Sequence, residues 1–223
     1  MTCYPRHMTG VYQWLRRRIF PPVPADIRDD IALLRAHRVE TLTPALFLTL
    51  AATTPTAIYA VVDPEYEGFR DNLARLQDHG WLFELQVFAG QMKDAAALVR
   101  AFPGIRFVLL HAGMLEDLSP AGRAAWSEGM QRLADLPNMY VKLSGLGTFL
   151  HRVDEAHIAD VALQTVAWFG SSRCAFGSNF PIEKLWSSYG ELAAAYRRAL
   201  SPLPADDQAA IFSGTARRLY RLD

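Results

Sequence analysis

From about residue 56 onward the chain alternates short, β-rich apolar runs with longer stretches of helical periodicity, and no other feature constrains its fold as strongly. Thr56-Ala-Ile-Tyr-Ala-Val-Val62 reads as a strand closed by Asp63-Pro64. Residues 65–80 follow, with Tyr66, Phe69, Leu73 and Leu76 at helical spacing until Gly80 stops the helix. Further strands are expected at 82–88, 106–110, 139–143 and 174–176, and helices at 93–102, 121–136, 155–169, 188–200 and 206–222. Strands that alternate with helices predict parallel βαβ units. The five units fall short of the eight that a TIM barrel arranges in ~250 residues. The expected class is therefore α/β, as a (β/α)8 TIM-barrel-like fold with about five recognisable units and so incomplete. An open doubly wound sheet has the same local signature, and periodicity does not choose between them.

The first third reads differently. Residues 23–37 carry Ile27, Ile31, Leu33 and Leu34 on one helical side, whereas 39–54 is apolar without regular spacing. The expected division is a divergent N-terminal segment at 1–55, largely helical or irregular, and a barrel portion at 56–223.

Composition narrows the function classes. Of the 223 residues 51% are hydrophobic and 21% charged, and 23 Lys plus Arg balance 23 Asp plus Glu. That balance gives no reason to expect a nucleic-acid or anionic-membrane partner, and Arg16-Arg17-Arg18 reads as a solvated helix face. The two cysteines, Cys3 and Cys174, lie in no redox or zinc spacing, so a reducing cytoplasm is expected. Met1 to Gly10 is polar and mixed, unlike a signal peptide. The apolar run 42–60 is interrupted by Pro44, Pro55 and several threonines, too often for a membrane span.

In parallel α/β folds ligands sit at the carboxyl ends of strands. Taken strand by strand, that edge presents Gln86, His111, Lys142 with Ser144, and Ser178 with Asn179. His111 follows four apolar residues and precedes Ala112-Gly113. An imidazole there suits a metal ligand, a general base or a hydrogen-bond donor to a substrate carbonyl, and equally a buried histidine bonded to backbone. Lys142 suits a substrate carboxylate or a salt bridge at the rim. His151 lies in the loop after Ser144-Gly145, on the same side. No two of the six histidines form H-x-H or H-x-x-x-H, and G-x-S-x-G, G-x-G-x-x-G and the P-loop are absent.

These residues carry a resemblance. His111-Ala-Gly-Met, Leu136-Pro-Asn-Met-Tyr-Val-Lys-Leu-Ser-Gly145, Phe176-Gly-Ser-Asn-Phe-Pro181 and Ile211-Phe-Ser-Gly-Thr-Ala-Arg-Arg-Leu-Tyr220 together resemble the amidohydrolase-related TIM-barrel hydrolases, from about residue 60 to the C-terminus. The nearest branch is that of the sugar-lactone and pyrone-dicarboxylate lactonases. The resemblance implies a distorted (β/α)8 barrel hydrolysing an ester or amide, often a lactone. It also implies an H-x-H on the first strand, a histidine on the sixth and an aspartate after the eighth. Some members bind a divalent metal, while the lactonase branch can use the aspartate to activate water without one. Carried over, His111 matches the sixth-strand histidine, Asn179 stands at the aspartate position, and Gln86 stands where metal-binding members place a fifth-strand histidine.

Two departures shape the expectation. His7 in Pro5-Arg-His-Met8 is no H-x-H, and an amide at Asn179 neither ionises nor supplies a metal-binding charge. The resulting expectation is a hydrolase of a lactone or related ester of a small carboxylated or sugar-derived molecule, with catalytic residues His111 and Asn179. Gln86, Lys142, Ser144, His151 and Ser178 would bind substrate, and no zinc or other divalent metal is expected. His151 or Glu116 would stand in for the missing base. The competing reading is a non-catalytic barrel descendant acting as a binding or structural protein, whose unpaired strand edges favour a homo-oligomer.

Overall fold

The structure is a computed structural model and describes residues 57–60 and 67–222; the segment expected at 1–55 lies outside the described residues. Among the described residues five parallel strands form one sheet: β1 (Ala57–Ala60), β2 (Leu82–Leu85), β3 (Arg106–Leu109), β4 (Met139–Leu143) and β5 (Cys174–Phe176). Their spatial order, β1-β2-β3-β4-β5, is also their order along the chain. A doubly wound sheet reverses direction at a switch point, and this one never does. It winds one way, as barrel units do. The alternative that periodicity left open is thus decided for the five-unit barrel type.

The connecting helices are α1 (Glu67–Asp78), α2 (Met92–Ala101), α3 (Pro120–Ala134), α4 (Glu155–Phe169) and α5 (Tyr189–Ala199). Three of them start at side-chain caps. Ser119, Asp154 and Ser188 cap α3, α4 and α5 by accepting from Gly122 N, His157 N and Glu191 N. Buried positions recur at helical spacing, as with Ile158, Val161, Ala162, Thr165, Val166 and Phe169 on α4. In β4 burial alternates with period two: Met139, Val141 and Leu143 are buried, while Tyr140 and Lys142 on the other face are half-buried.

The opposite face is closed from below by the C-terminal segment. One helix is expected over 206–222; the structure has a continuous helical run in which α6 (Ala205–Ala209) and α7 (Thr215–Tyr220) are joined by a π turn at Ala210–Gly214. Ile211, Thr215 and Leu219 are the buried positions, and their four-residue spacing exceeds the 3.6 of an α-helix. The wider π turn absorbs the excess. Leu219 then clusters with Leu82 and Val108, with Tyr140 and Tyr220 packed against them. Arg221 ties the chain end to the turn before β2 by donating to Gly80 O at 3.0 Å.

β2 is shorter than the expected 82–88. Its last ladder pair is Leu85 with Leu109, because β3 turns off the sheet at Leu110 and leaves Gln86 without a strand partner on that side. Among the described residues no helix is long and apolar enough to cross a membrane.

Asn138, just before β4, holds three carbonyls together: its Nδ2 donates to Val99 O (3.3 Å), Phe102 O (3.1 Å) and Ile105 O (3.0 Å). Asn138→Ala removes these three bonds, leaving Val99 O and Phe102 O only their backbone donors Phe102 N and Ile105 N, and is expected to lower unfolding free energy by about 1–3 kcal/mol in urea titrations.

Candidate active site

The loops after β3, β4 and β5 carry unusual backbone. Of the six non-glycine residues with positive φ among the described residues, five lie after β3, β4 or β5: His111, Ala112, Met114, His151 and Asn179. Such conformations cost energy and persist only where the surroundings enforce them. After β3 the enforcement is visible. Trp126 Nε1 donates to Ala112 O at 2.8 Å, and Gly113 is pressed so closely that a Cβ would lie 2.3 Å from Met92 Cε.

This loop turns His111 toward β4, where its Nδ1 lies 2.9 Å from Ser144 Oγ. His111 is therefore held by Ser144, through its hydroxyl and its backbone. Gly145 makes room for the arrangement. A Cβ there would fall 2.6 Å from His111 Nδ1 and 3.2 Å from Asn179 Nδ2, so both side chains converge over one glycine. Burial pushes the imidazole down to about 4; the Lys142 ammonium adds to this, while the Ser144 bond and the Glu84 charge oppose it. His111 is neutral at pH 7.

Lys142 reaches a partner that sequence reasoning missed. Its Nζ lies 2.6 Å from Oε1 of Glu84, a residue only 1% exposed, and Tyr220 donates its hydroxyl to the same oxygen. The ammonium also sits over the Tyr220 ring at 5.4 Å. A salt bridge thus already engages the lysine assigned to a substrate carboxylate. The available signal was a lone charge inside each apolar strand, Glu84 in LFEL and Lys142 in MYVKL.

A second buried carboxylate was missed as well. Glu183, four residues after Asn179, is fully buried on the 3-10 turn Ile182–Leu185. Asn179 Nδ2 lies 3.4 Å from Glu183 Oε1 and 3.4 Å from Thr148 Oγ1. Burial pushes the Glu183 carboxyl up, against hydrogen bonds from Trp186, Asn179 and Thr148. A glutamate set between Ile182 and Lys184 in the largely apolar Phe180-Pro-Ile-Glu-Lys-Leu-Trp186 was its only mark in the sequence.

The remaining expected residues sit further out. Gln86 is half-buried just past β2, and Ser178 Oγ accepts from Phe180 N at 3.4 Å within its own loop. His151 is exposed with its ring 5.4 Å from that of Trp186, and Glu116 is exposed in the turn before α3. Cys174 is buried in β5, and burial pushes its thiol up to about 12, which rules out a thiolate nucleophile there. Among the described residues no three His, Cys, Asp or Glu side chains are placed to hold a metal ion.

The chain belongs to the amidohydrolase family, whose sequence pattern matches residues 13–222, beginning well upstream of residue 60 where the motif resemblance starts. It is 34% identical over 160 residues to the uncharacterized protein y4mH of Sinorhizobium fredii, covering 71% of this chain and 52% of that one. It is 34% identical over 165 residues to an L-fucono-1,5-lactonase of Burkholderia multivorans, covering 69% and 56%. Among solved structures, a Burkholderia multivorans amidohydrolase crystallised with bound zinc superposes with a TM-score of 0.67 at 30% identity, covering 72% of this chain and 59% of that one. The chain spans about half the length of the curated relatives it matches.

Two outcomes follow from the His111 geometry. The unfolded chain takes up a proton near pH 6.5 and the folded one only near 4, so stability is lost as pH falls across that window, by up to about 3 kcal/mol. The difference between parent and His111→Gln in urea midpoints at pH 7 and pH 4.5 reads this contribution, and ring signals in NMR should titrate near 4. Gly145→Ala, at φ 64°, is expected to lower Tm and displace the His111 ring signals, because its methyl collides with Nδ1.

Proposed function

We propose that this chain forms a lactonase-type hydrolytic site for a lactone or related ester of a small sugar-derived or carboxylated molecule. The observation that carries the reading is the convergence of His111 and Asn179 over Gly145 at the carboxyl edge of the sheet. The L-fucono-1,5-lactonase among the relatives supports it.

A neutral imidazole suits one role in particular. In the tautomer whose Nδ1 accepts from Ser144 Oγ, Nε2 carries the proton and donates to the ester carbonyl, polarising it without a net charge to desolvate. Asn179 orients the attacking water or a substrate hydroxyl, since an amide gives and accepts hydrogen bonds but does not ionise. Water adds to the carbonyl carbon, the ring C–O bond breaks, and the proton lost by the water passes to the released ring oxygen, so that the product is the open hydroxy acid. Lys142, held by Glu84, lends positive potential beneath the site, to which a carboxylated substrate would be drawn.

Hydrolysis of a panel of sugar and dicarboxylate lactones, followed by proton release with and without chelator, tests the proposal. Turnover is expected to survive chelator and to fall at least ~100-fold in His111→Ala. Absence of turnover from soluble, cooperatively folded protein would favour the non-catalytic reading, in which the family fold is kept as a binding module.

A further inference from the structure

The carboxylate expected at position 179 is absent, yet a carboxylate stands one turn behind it. Glu183 N donates to Asn179 O at 3.1 Å, which folds the 3-10 turn back on the loop and brings the two side chains together. Glu183 is built into its place. Trp186 Nε1 donates to Oε2 at 2.5 Å, and Thr148 Oγ1 donates to Oε1 at 3.3 Å. Gly147 lies so near that a Cβ there would be 2.8 Å from Glu183 Oε2 and 2.9 Å from Trp186 Nε1. Donors from two loops and a glycine-sized clearance therefore surround this one acid.

An ionised carboxylate only accepts, so the side of the Asn179 amide that faces it must be the NH2. Both acceptors near Nδ2, Glu183 Oε1 and Thr148 Oγ1, lie on this inner side. The amide oxygen is thereby left for the site. We propose that Asn179 and Glu183 are a matched amide–carboxylate pair, in which Glu183 is a positioning residue that engages Nδ2 and so leaves Oδ1 as an acceptor for a ligand hydroxyl.

The pair accounts for the departure from the family pattern. An aspartate at 179 would set a second carboxylate against Glu183, and two like charges at that range do not both ionise without cost. With Glu183 in place the amide is required, and the position has changed from base to oriented acceptor. Only the ligand hydroxyl in this inference rests on the hydrolase reading; the pair itself does not.

The test is a double-mutant cycle on ligand-free protein at pH 7.5, with Asn179→Asp, Glu183→Gln and the two combined. Each single change is expected to lower Tm by about 5 °C or more. The combination should recover most of the loss, because it exchanges amide and carboxylate and so restores a donor facing an acceptor. Additive losses, or a single Asn179→Asp as stable as the parent, would overturn the pair. Side-chain amide signals of Asn179 in 1H–15N spectra supply a readout that general packing does not move. Two separate, slowly exchanging NH2 protons are expected in the parent and fast exchange in Glu183→Gln. Fast exchange already in the parent sinks the positioning role even if the variants fail to fold. Inactivity towards lactones would leave a coupled cycle standing, whereas an additive cycle beside His111-dependent turnover would remove the pair and keep the hydrolase.

Discussion

Parallel pairing of each strand with the one before it is the constraint on which everything else rests. Because β2 to β5 run the same way and in chain order, the residues after them all arrive at one edge. His111, Ser144, Gly145 and Asn179 come from three successive loops, and they meet because the ladder fixes where those loops begin. The helices on one face and the C-terminal segment on the other hold the ladder from both sides. The strands can then be only three to five residues long and still place side chains within hydrogen-bonding reach.

Electrostatics divide the site into two levels. Lower down, Glu84, Lys142 and Tyr220 form a buried ion pair with a phenolic donor. Such a pair adds little net stability, since desolvation offsets attraction, but it fixes charges in place. Above it, the Lys142 ammonium helps to keep His111 neutral, and Glu183 lies behind Asn179. The edge that faces a ligand thus presents uncharged groups, and its charges stand one layer back. Neutral hydrogen-bonding groups over fixed charges suit polarisation and orientation better than proton abstraction.

Much of the fold was legible because local physics decides it. Met139–Leu143, Glu155–Phe169 and Cys174–Phe176 lie, residue for residue, where alternation, capping and apolar spacing place them. The differences fall where a neighbour intervenes: β2 stops when β3 leaves it, and the last helix runs on through a π turn, with Ile211, Thr215 and Leu219 all buried. At the site, His111 and Asn179 stood out by their place after apolar strands. Glu84 and Glu183 did not, since a glutamate in an apolar run shows its meaning only through what surrounds it.

The sequence by itself determined the class of fold, five strand–helix units, and which edge would carry chemistry, because periodicities of two and 3.6 and the residues at strand ends are written locally. It also determined that position 179 has no acid. Tertiary structure alone decided the one-way winding, the pairing of Lys142 with Glu84 across an intervening strand, and the placing of Glu183 behind Asn179. Those depend on distances between residues far apart in the chain, and charge pairing and desolvation act through distance, not through order.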